Sequence, residues 1–421
     1  MGRSWLVPAL LVVLTGCGLI EPIPPGAEPR MEHGSGKQSA TAARSRTPSP
    51  VAFTTPSPLV SRSHRPPRKE PDDINGDGYA DLLLPWFTET GLQAIVYGSA
   101  QGLLQAALRT RAKEPVWVTD GLRADFDGDG FGDLAGTARE AGGRARPGIF
   151  WGSAQGLGET LTPLRGPLVD GLTPYGVTSG DFNGDGKGDL ALRISRGEDA
   201  GLVLLYGPFR RSGTWAWNST PQTLPFNYVG SMAGGFRGLL VYEGDDGEQA
   251  AAWLFKGDGN GLARRGGALN TGLASAFGDF DGDGRQDVAV ADSGARNDEQ
   301  GSETEPRGVD KTLTVYYGKG AKQVFTGAKG RLVAGDFNGD GLDDLAHGRY
   351  FPRQPESDTH LMWGSAKGLR DGGRPPELAK MTPVAAGDYD GDGDDDLVLQ
   401  AEWGQGYRVS DGERIVGRLD Q

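Results

Sequence analysis

The chain has 421 residues, a formal net charge of −13 and a single cysteine, Cys17. That charge argues against nucleic acid as a partner, and one cysteine excludes an internal disulfide. Seventy glycines fit a chain made largely of tight turns.

Arg3 followed by the apolar stretch Trp5 to Leu14 predicts a leader over residues 1–16, too short to span a membrane. Leu14-Thr15-Gly16-Cys17 matches a bacterial lipoprotein box, in which cleavage precedes the cysteine and its sulfur and amine are acylated. Cys17 is therefore the expected lipidation site, and two or more acyl chains anchor stably. This predicts a protein at the extracellular face of the bacterial cell membrane, in part released. Residues 17–70 are rich in Pro, Ser, Thr, Ala and Arg and poor in large apolar side chains, which predicts a disordered stalk. A solvated spacer is the first reading of this stalk, and the alternative is that its basic residues, especially Arg62, Arg65, Arg68 and Lys69, lie against anionic lipid or wall polymer.

Residues 71–421 carry six copies of one nine-residue acidic loop, starting at Asp73, Asp125, Asp181, Asp279, Asp336 and Asp388. Positions 1, 5 and 9 are Asp, position 3 is Asp or Asn, and position 6 is Gly. Oxygen ligands at alternate positions around a forced turn suit a hard cation such as calcium. The expected ligands are the side chains at positions 1, 3, 5 and 9 and the carbonyl at position 7. In chain order these are Asp73, Asn75, Asp77, Tyr79 and Asp81; Asp125, Asp127, Asp129, Phe131 and Asp133; Asp181, Asn183, Asp185, Lys187 and Asp189. The later three sets are Asp279, Asp281, Asp283, Arg285 and Asp287; Asp336, Asn338, Asp340, Leu342 and Asp344; Asp388, Asp390, Asp392, Asp394 and Asp396. Asp at position 9 can bind through both oxygens. An EF-hand needs Glu at position 12, where this chain has Leu84, Gly136, Leu192, Val290, His347 and Leu399. About six structural Ca2+ ions are expected, stapling hairpins in a chain without disulfides.

The loop starts lie 52, 56, 98, 57 and 52 residues apart. The long gap hides a seventh, broken copy at Gly234 to Gly238, with Gly235 aligned to the first Asp and Arg237 to the third ligand. A second marker keeps step: Tyr97-Gly98-Ser99-Ala100-Gln101-Gly102-Leu103 returns at Trp151 to Leu157 and Trp363 to Leu369, with echoes at Tyr206-Gly207 and Tyr317-Gly318. Each ninth-position Asp precedes a short apolar run, such as Val288-Ala289-Val290 or Leu397-Val398-Leu399. Strand-length runs between Gly-rich turns, repeated seven times at about 50 residues, predict a propeller rather than a solenoid.

The pattern GDFNGDGxxDL resembles the hallmark of FG-GAP repeats, also called VCBS or integrin-like repeats, over roughly residues 71–421. The resemblance implies an all-β fold: a seven-bladed β-propeller of four-stranded antiparallel blades with calcium bound between two strands of a blade. The segment before Asp73 lacks a strand pattern, so the C-terminal strands are expected to complete the first blade.

Signals for catalysis are sparse. His347 and His360 are the two histidines of the propeller, expected on strand surfaces, and no GxSxG, HExxH, P-loop or dinucleotide fingerprint is present. The insertion Asp292 to Lys311 is the one long loop, a form that often carries binding. Trp86, Trp117, Trp215, Trp217 and Trp403 are candidate aromatic platforms. The expected function is a non-enzymatic, monomeric binding or adhesion module for an extracellular protein or carbohydrate. The alternatives are a polysaccharide-binding lectin or polysaccharide-active enzyme, and a purely structural surface protein.

Overall fold

The computed structural model describes residues 72–87, 93–103, 119–139, 145–166, 169–170, 174–196, 199–215, 222–226, 229–244, 249–296, 309–348, 358–401 and 406–419. The leader, Cys17, the stalk, Trp117, Trp217, Trp403, the Trp86 side chain and residues 297–308 of the insertion lie outside them.

The described chain is nearly all β, with one 3-10 turn at Pro376–Leu378, and forms seven antiparallel sheets. No helix among the described residues is long and apolar enough to cross a membrane. Five sheets are four-stranded meanders. The sixth blade shows the plan: Arg331–Gly335, Asp344–Gly348, His360–Trp363 and Arg370–Gly373, hydrogen-bonded in that order. In the fourth blade, Gly261–Leu262 and Gly267–Ala268 both pair with the third strand, Ala251–Asp258. The first blade shows two strands among the described residues, Leu82–Phe87 and Gln93–Val96.

The order within each blade follows from burial. The second strands are the apolar runs after each position-9 Asp, and both their faces are covered. Every residue of Asp287–Ala291 and Asp344–Gly348 is buried. A strand covered on both sides carries a continuous apolar run rather than an alternating one. Fourth strands face solvent, as the alternation in Lys322–Thr326 shows. First strands of successive blades neighbour one another: Thr119–Ala124 with Pro174–Gly180, then Ser231–Gly235, Ala274–Gly278, Arg331–Gly335 and Thr382–Gly387. With the first blade packed against the seventh, this succession sets the strands around a common axis. Apolar clusters fill the spaces between blades. One joins Ile149 and Trp151 to Leu190, Val203 and Phe209, with Trp215 packed partly buried against it.

Among the described residues, the ring does not close by strand exchange. Tyr407–Asp411 and Arg414–Leu419, the strands expected to complete the first blade, complete the seventh. Closure is by packing: Ala80, Leu82, Leu84 and Val96 of the first blade form one buried cluster with Tyr389, Val398, Tyr407 and Leu419 of the seventh. Sequence reading missed this because an interface between whole blades leaves no unpaired strand to count.

Leu419 is 2% exposed in this closing cluster, while Val416 on the same strand is 55% exposed. Leu419→Ala is therefore expected to cost about 2–5 kcal/mol, and Val416→Ala less than about 0.5 kcal/mol. Urea unfolding of the two variants measures the difference.

Candidate metal centre

Five of the six acidic loops join the first strand of a blade to its second, and the Asp73 loop leads into Leu82–Phe87 in the same way as the others lead into their second strands, so all six open at one face of the ring. The loops fold on their own carboxylates. Asp73 accepts the N–H of Gly76 (2.6 Å) and Asp77 (3.2 Å) at Oδ1 and that of Gly78 (2.8 Å) at Oδ2. Asp181 does the same with Gly184, Asp185 and Gly186. The side chain at position 3 then accepts the N–H of position 5, and position 5 that of position 7. Examples are Asp129 N–H to Asp127 Oδ1 at 3.2 Å and Phe131 N–H to Asp129 Oδ1 at 3.1 Å. Asn substitutes at position 3 without changing this bond: Asp77, Asp185 and Asp340 donate to Asn75, Asn183 and Asn338 at 3.0–3.1 Å. Side chains at 1, 3 and 5 are thereby turned into one bowl.

Position 9 closes the bowl from below. Asp81, Asp133, Asp189, Asp287 and Asp344 are wholly buried. One oxygen of each accepts the N–H of position 2, at 2.7–3.1 Å from Ile74, Phe126, Phe182, Phe280 and Phe337. The other accepts the N–H of the marker glycine, at 2.7–3.0 Å from Gly98, Gly152, Gly207, Gly318 and Gly364. The two motifs found separately in the sequence thus meet on one carboxylate. On Asp133 and Asp287 each oxygen keeps a second lone pair for a cation, whereas Oδ2 of Asp189 and Asp344 also accepts from the Asn183 N–H (3.3 Å) and the Asn338 amide (2.9 Å).

In three loops the acidic ligand atoms converge within 4.8 Å of one another: Asp125, Asp127 and Asp133; Asp279, Asp281 and Asp287; Asp388, Asp390 and Asp392. These are the loops with Asp at position 3. Such clusters can hold metal ions, and an all-oxygen donor set suits a hard cation. Burial pushes Asp81, Asp133, Asp189, Asp287 and Asp344 up to about 7. Asp396 rises to about 9, through burial and then the charges of Asp390, Asp392 and Asp411. A divalent cation would supply the missing opposite charge.

Asp411 is a residue the motif does not contain. In the blades with an aromatic-glycine marker, the aromatic lies directly across from position 9. In the seventh blade that partner is Asp411, paired with Asp396 and followed by Gly412. The signal was legible only as a marker without its ring. Two basic side chains also reach the loops. Arg211 spans Asp127 (2.9 Å) and Asp129 (2.6 Å), and Lys319 lies 3.2 Å from Asp283. Nothing in the loop spacing marks either.

The loops also interlock around the ring. The position-8 N–H donates to the position-1 carbonyl of the preceding blade: Gly132 to Asp73, Asp343 to Asp279 and Asp395 to Asp336. Ala80 donates to Asp388 at 3.0 Å in the same way, which closes the circle. Position-7 side chains cover the position-4 glycine of the preceding loop. Any Cβ on Gly391 would meet the Tyr79 ring at 2.6 Å, and one on Gly76 the Phe131 ring at 2.5 Å.

The fourth blade corrects the sequence alignment. Gly235 pairs with Gly238, so Gly235 matches the glycine before position 1 and Gly238 matches position 9. Phe236 and Arg237 form a two-residue turn in place of the loop, with Arg237 at φ 53. Arg237 N–H still donates to Asp181 O at 2.7 Å, keeping the interblade bond. His347 also departs from expectation: it is 4% exposed rather than on a strand surface, because second strands are covered on both faces.

A family model described as an FG-GAP-like repeat matches residues 125–192. No curated protein matches the sequence. The chain is similar to the β-propeller domain of the Trilobed protease from Pyrococcus furiosus, at 13% identity, TM-score 0.39, and 73% and 85% coverage of this chain and that one. It is similar to the rhamnogalacturonan lyase PL11 of Bacillus licheniformis at 11% identity and TM-score 0.38, covering 81% of this chain and 61% of that one. A third similarity is to AofleA from Arthrobotrys oligospora, at 10% identity and TM-score 0.35, with 76% and 91% coverage.

Two outcomes are expected. A carboxyl with a folded pKa near 7, against about 4 unfolded, holds its proton more tightly in the folded state. The melting temperature of metal-depleted protein should therefore fall as pH rises from about 4 to 7, fall more gently to about 9 as Asp396 ionises, and level off above, and excess calcium should abolish the fall. Asp411→Asn should stabilise the metal-depleted protein by up to about 1 kcal/mol, by removing a cross-strand repulsion, and should shrink the stabilisation calcium gives. Chemical unfolding with and without chelator measures both states.

Proposed function

We propose that this chain, a β-propeller built on FG-GAP-like repeats, is a calcium-stapled binding module held at the outer face of a bacterial membrane by lipid on Cys17. The observation that carries the reading is that the carboxylate bowls and the interblade bonds belong to the same loops. A cation held by positions 1, 3, 5 and 9 would fix the backbone atoms through which each blade grips the next. Calcium fits better than magnesium, because a bowl of one-turn carboxylates offers many oxygens without an enforced octahedron.

The magnitude is large enough to matter. One site held at calcium ten times its dissociation constant contributes about 1.4 kcal/mol. Six such loops would contribute roughly 8 kcal/mol, comparable to the total stability of many domains, about 5–15 kcal/mol. A chain whose one cysteine is Cys17 has no disulfide to take this part. The role left to the ions is structural, and the connections between strands are free to form a ligand surface. Lipid on Cys17 and the Pro-rich stalk would hold that surface away from the bilayer.

Equilibrium dialysis of desalted protein should give about six calcium ions per chain, and EGTA should lower the melting temperature by more than about 10 °C. An unchanged melting temperature would overturn the metal assignment. In cells, Cys17→Ser should move the protein from the membrane to the soluble fraction; retention in the membrane would overturn the anchor.

A further inference from the structure

The face of the ring opposite the acidic loops carries a cavity of about 190 Å3 between the fifth and sixth blades. Its walls are the ends of strands that start or finish away from the metal loops. Lys311 precedes Thr312–Tyr316, Lys329 precedes Arg331–Gly335, His347 ends the sixth blade's second strand and Arg374 follows its fourth. In a chain of net charge −13, three cationic side chains from separate segments line one small space.

The acids nearby do not neutralise it. Asp292 is wholly buried, but its two oxygens are taken by Arg296 at 2.9 Å each and by the N–H groups of Gly294 and Lys311 at 2.8 Å. Lys329 lies 3.9 Å from Asp292 and 3.9 Å from Asp310, whose carboxylate is shared with Arg296 at 3.5 Å. Asp358 lines the cavity and accepts the N–H of Lys380 at 3.0 Å. Among the described residues, neither Lys311 nor Arg374 has an ion-pair partner. Lys311 is held at φ 51, a left-handed conformation rare for a side-chain-bearing residue. Its N–H is fixed by Asp292 and its carbonyl by Gly327. The buried ring of His347 packs on His360 at 4.7 Å, and His360 is tied to Asp371 at 2.7 Å. Among the described residues no hydrogen bond reaches the His347 ring. Burial, and then the charges of His360 and Arg374, keep that ring neutral at ordinary pH, so it offers one N–H donor.

Like charges brought together in a partly enclosed space repel. Two cations without an ion-pair partner among the described residues, Lys311 and Arg374, beside a third that is only loosely paired, Lys329, outnumber the one lining carboxylate, Asp358, and a surplus of arginine and lysine is what recognises an oxyanion. The volume is below the about 300–1,000 Å3 of pockets that enclose a whole drug-sized ligand, so it suits a charged group and a few atoms beside it. We propose that this cavity binds the oxyanion group, carboxylate or sulfate, of an acidic ligand, through Lys311, Lys329, Arg374 and the His347 ring. This gives the binding module proposed above a ligand chemistry, and it rests on that reading for its biological use. The metal loops and the cavity lie on opposite faces and are tested independently.

The test is calorimetric titration of calcium-loaded protein with sodium sulfate, sodium glucuronate and glucose, at constant ionic strength near 0.15 M. Three proteins are compared: wild type, Lys311→Gln/Arg374→Gln, and Lys256→Gln/Lys322→Gln as a control that removes the same charge elsewhere on the surface. Sulfate or glucuronate should bind the wild type and the control alike and the cavity variant at least about tenfold more weakly, with glucose silent. Binding of glucuronate alone assigns a carboxylate source, and of sulfate alone a sulfated one. Equal affinity of the cavity variant, glucose binding as well as glucuronate, or no anion binding below about 10 mM would overturn the proposal. Melting temperatures with and without EGTA, taken on the same preparations, show that the variants are folded. They also separate failure of the metal reading, a missing calcium effect, from failure of this one.

Discussion

A buried carboxylate at the ninth position of each loop is the constraint from which the rest of the architecture follows. An ionised Asp away from water is expensive unless hydrogen bonds and an opposite charge compensate it. In five blades the backbone provides two N–H donors, one from the turn of the loop and one from the end of the third strand. That demand fixes how the first three strands of a blade meet. It also explains why the fifth blade tolerates its insertion. Gly318 and Asp287 are 31 residues apart, against 17–20 in the other blades, yet their bond is 2.7 Å long. The extra chain leaves between the second and third strands at the opposite face, where this bond does not feel it.

The same geometry decides what could be read from sequence. The loops were legible because their spacing is set by local chemistry: a side chain at position i bonded to an N–H at i+2 repeats wherever the turn does. The second strands were legible as apolar runs because both their faces are covered. The joint role of Asp81 and Gly98 was not, since no local rule links residues 17 apart. Asp411 was missed for a related reason. It stands where an aromatic ring is usual, and only the register opposite Asp396 reveals the exchange. The alignment of the broken copy failed because a two-residue turn deletes the spacing on which the alignment relied. Arg211, reaching Asp127 from the next blade, has no counterpart in the repeat pattern at all.

The two faces of the ring have opposite character. One holds the acidic bowls, whose carboxylates are committed to the joints between blades. The other holds Lys311, Lys329 and Arg374 at the ends of short strands, beside the one long insertion. A rigid ring keeps these charges apart, so a surface that recognises anions persists on a molecule that is acidic as a whole. Loops at that face can vary without disturbing the carboxylates that hold the blades.

Closure of the ring joins these arguments. Propeller rings must bring the first blade against the last, and here no strand among the described residues crosses the junction. Ala80 and Ser99 donate to the carbonyls of Asp388 and Tyr389, both at 3.0 Å, and the Tyr79 ring covers Gly391. All three contacts fall on the seventh loop. That loop also has six Asp in nine residues and faces Asp411 across the strand pair. The most strongly self-repelling loop is therefore the one that shuts the circle. Any cation that binds there favours the closed ring over the open chain, by the same linkage through which a ligand favours the state it binds. The other junctions join blades consecutive in the chain, which stay near one another when a contact loosens. At this junction the two partners are separated by most of the propeller sequence, so loss of the contact releases the largest loop of chain.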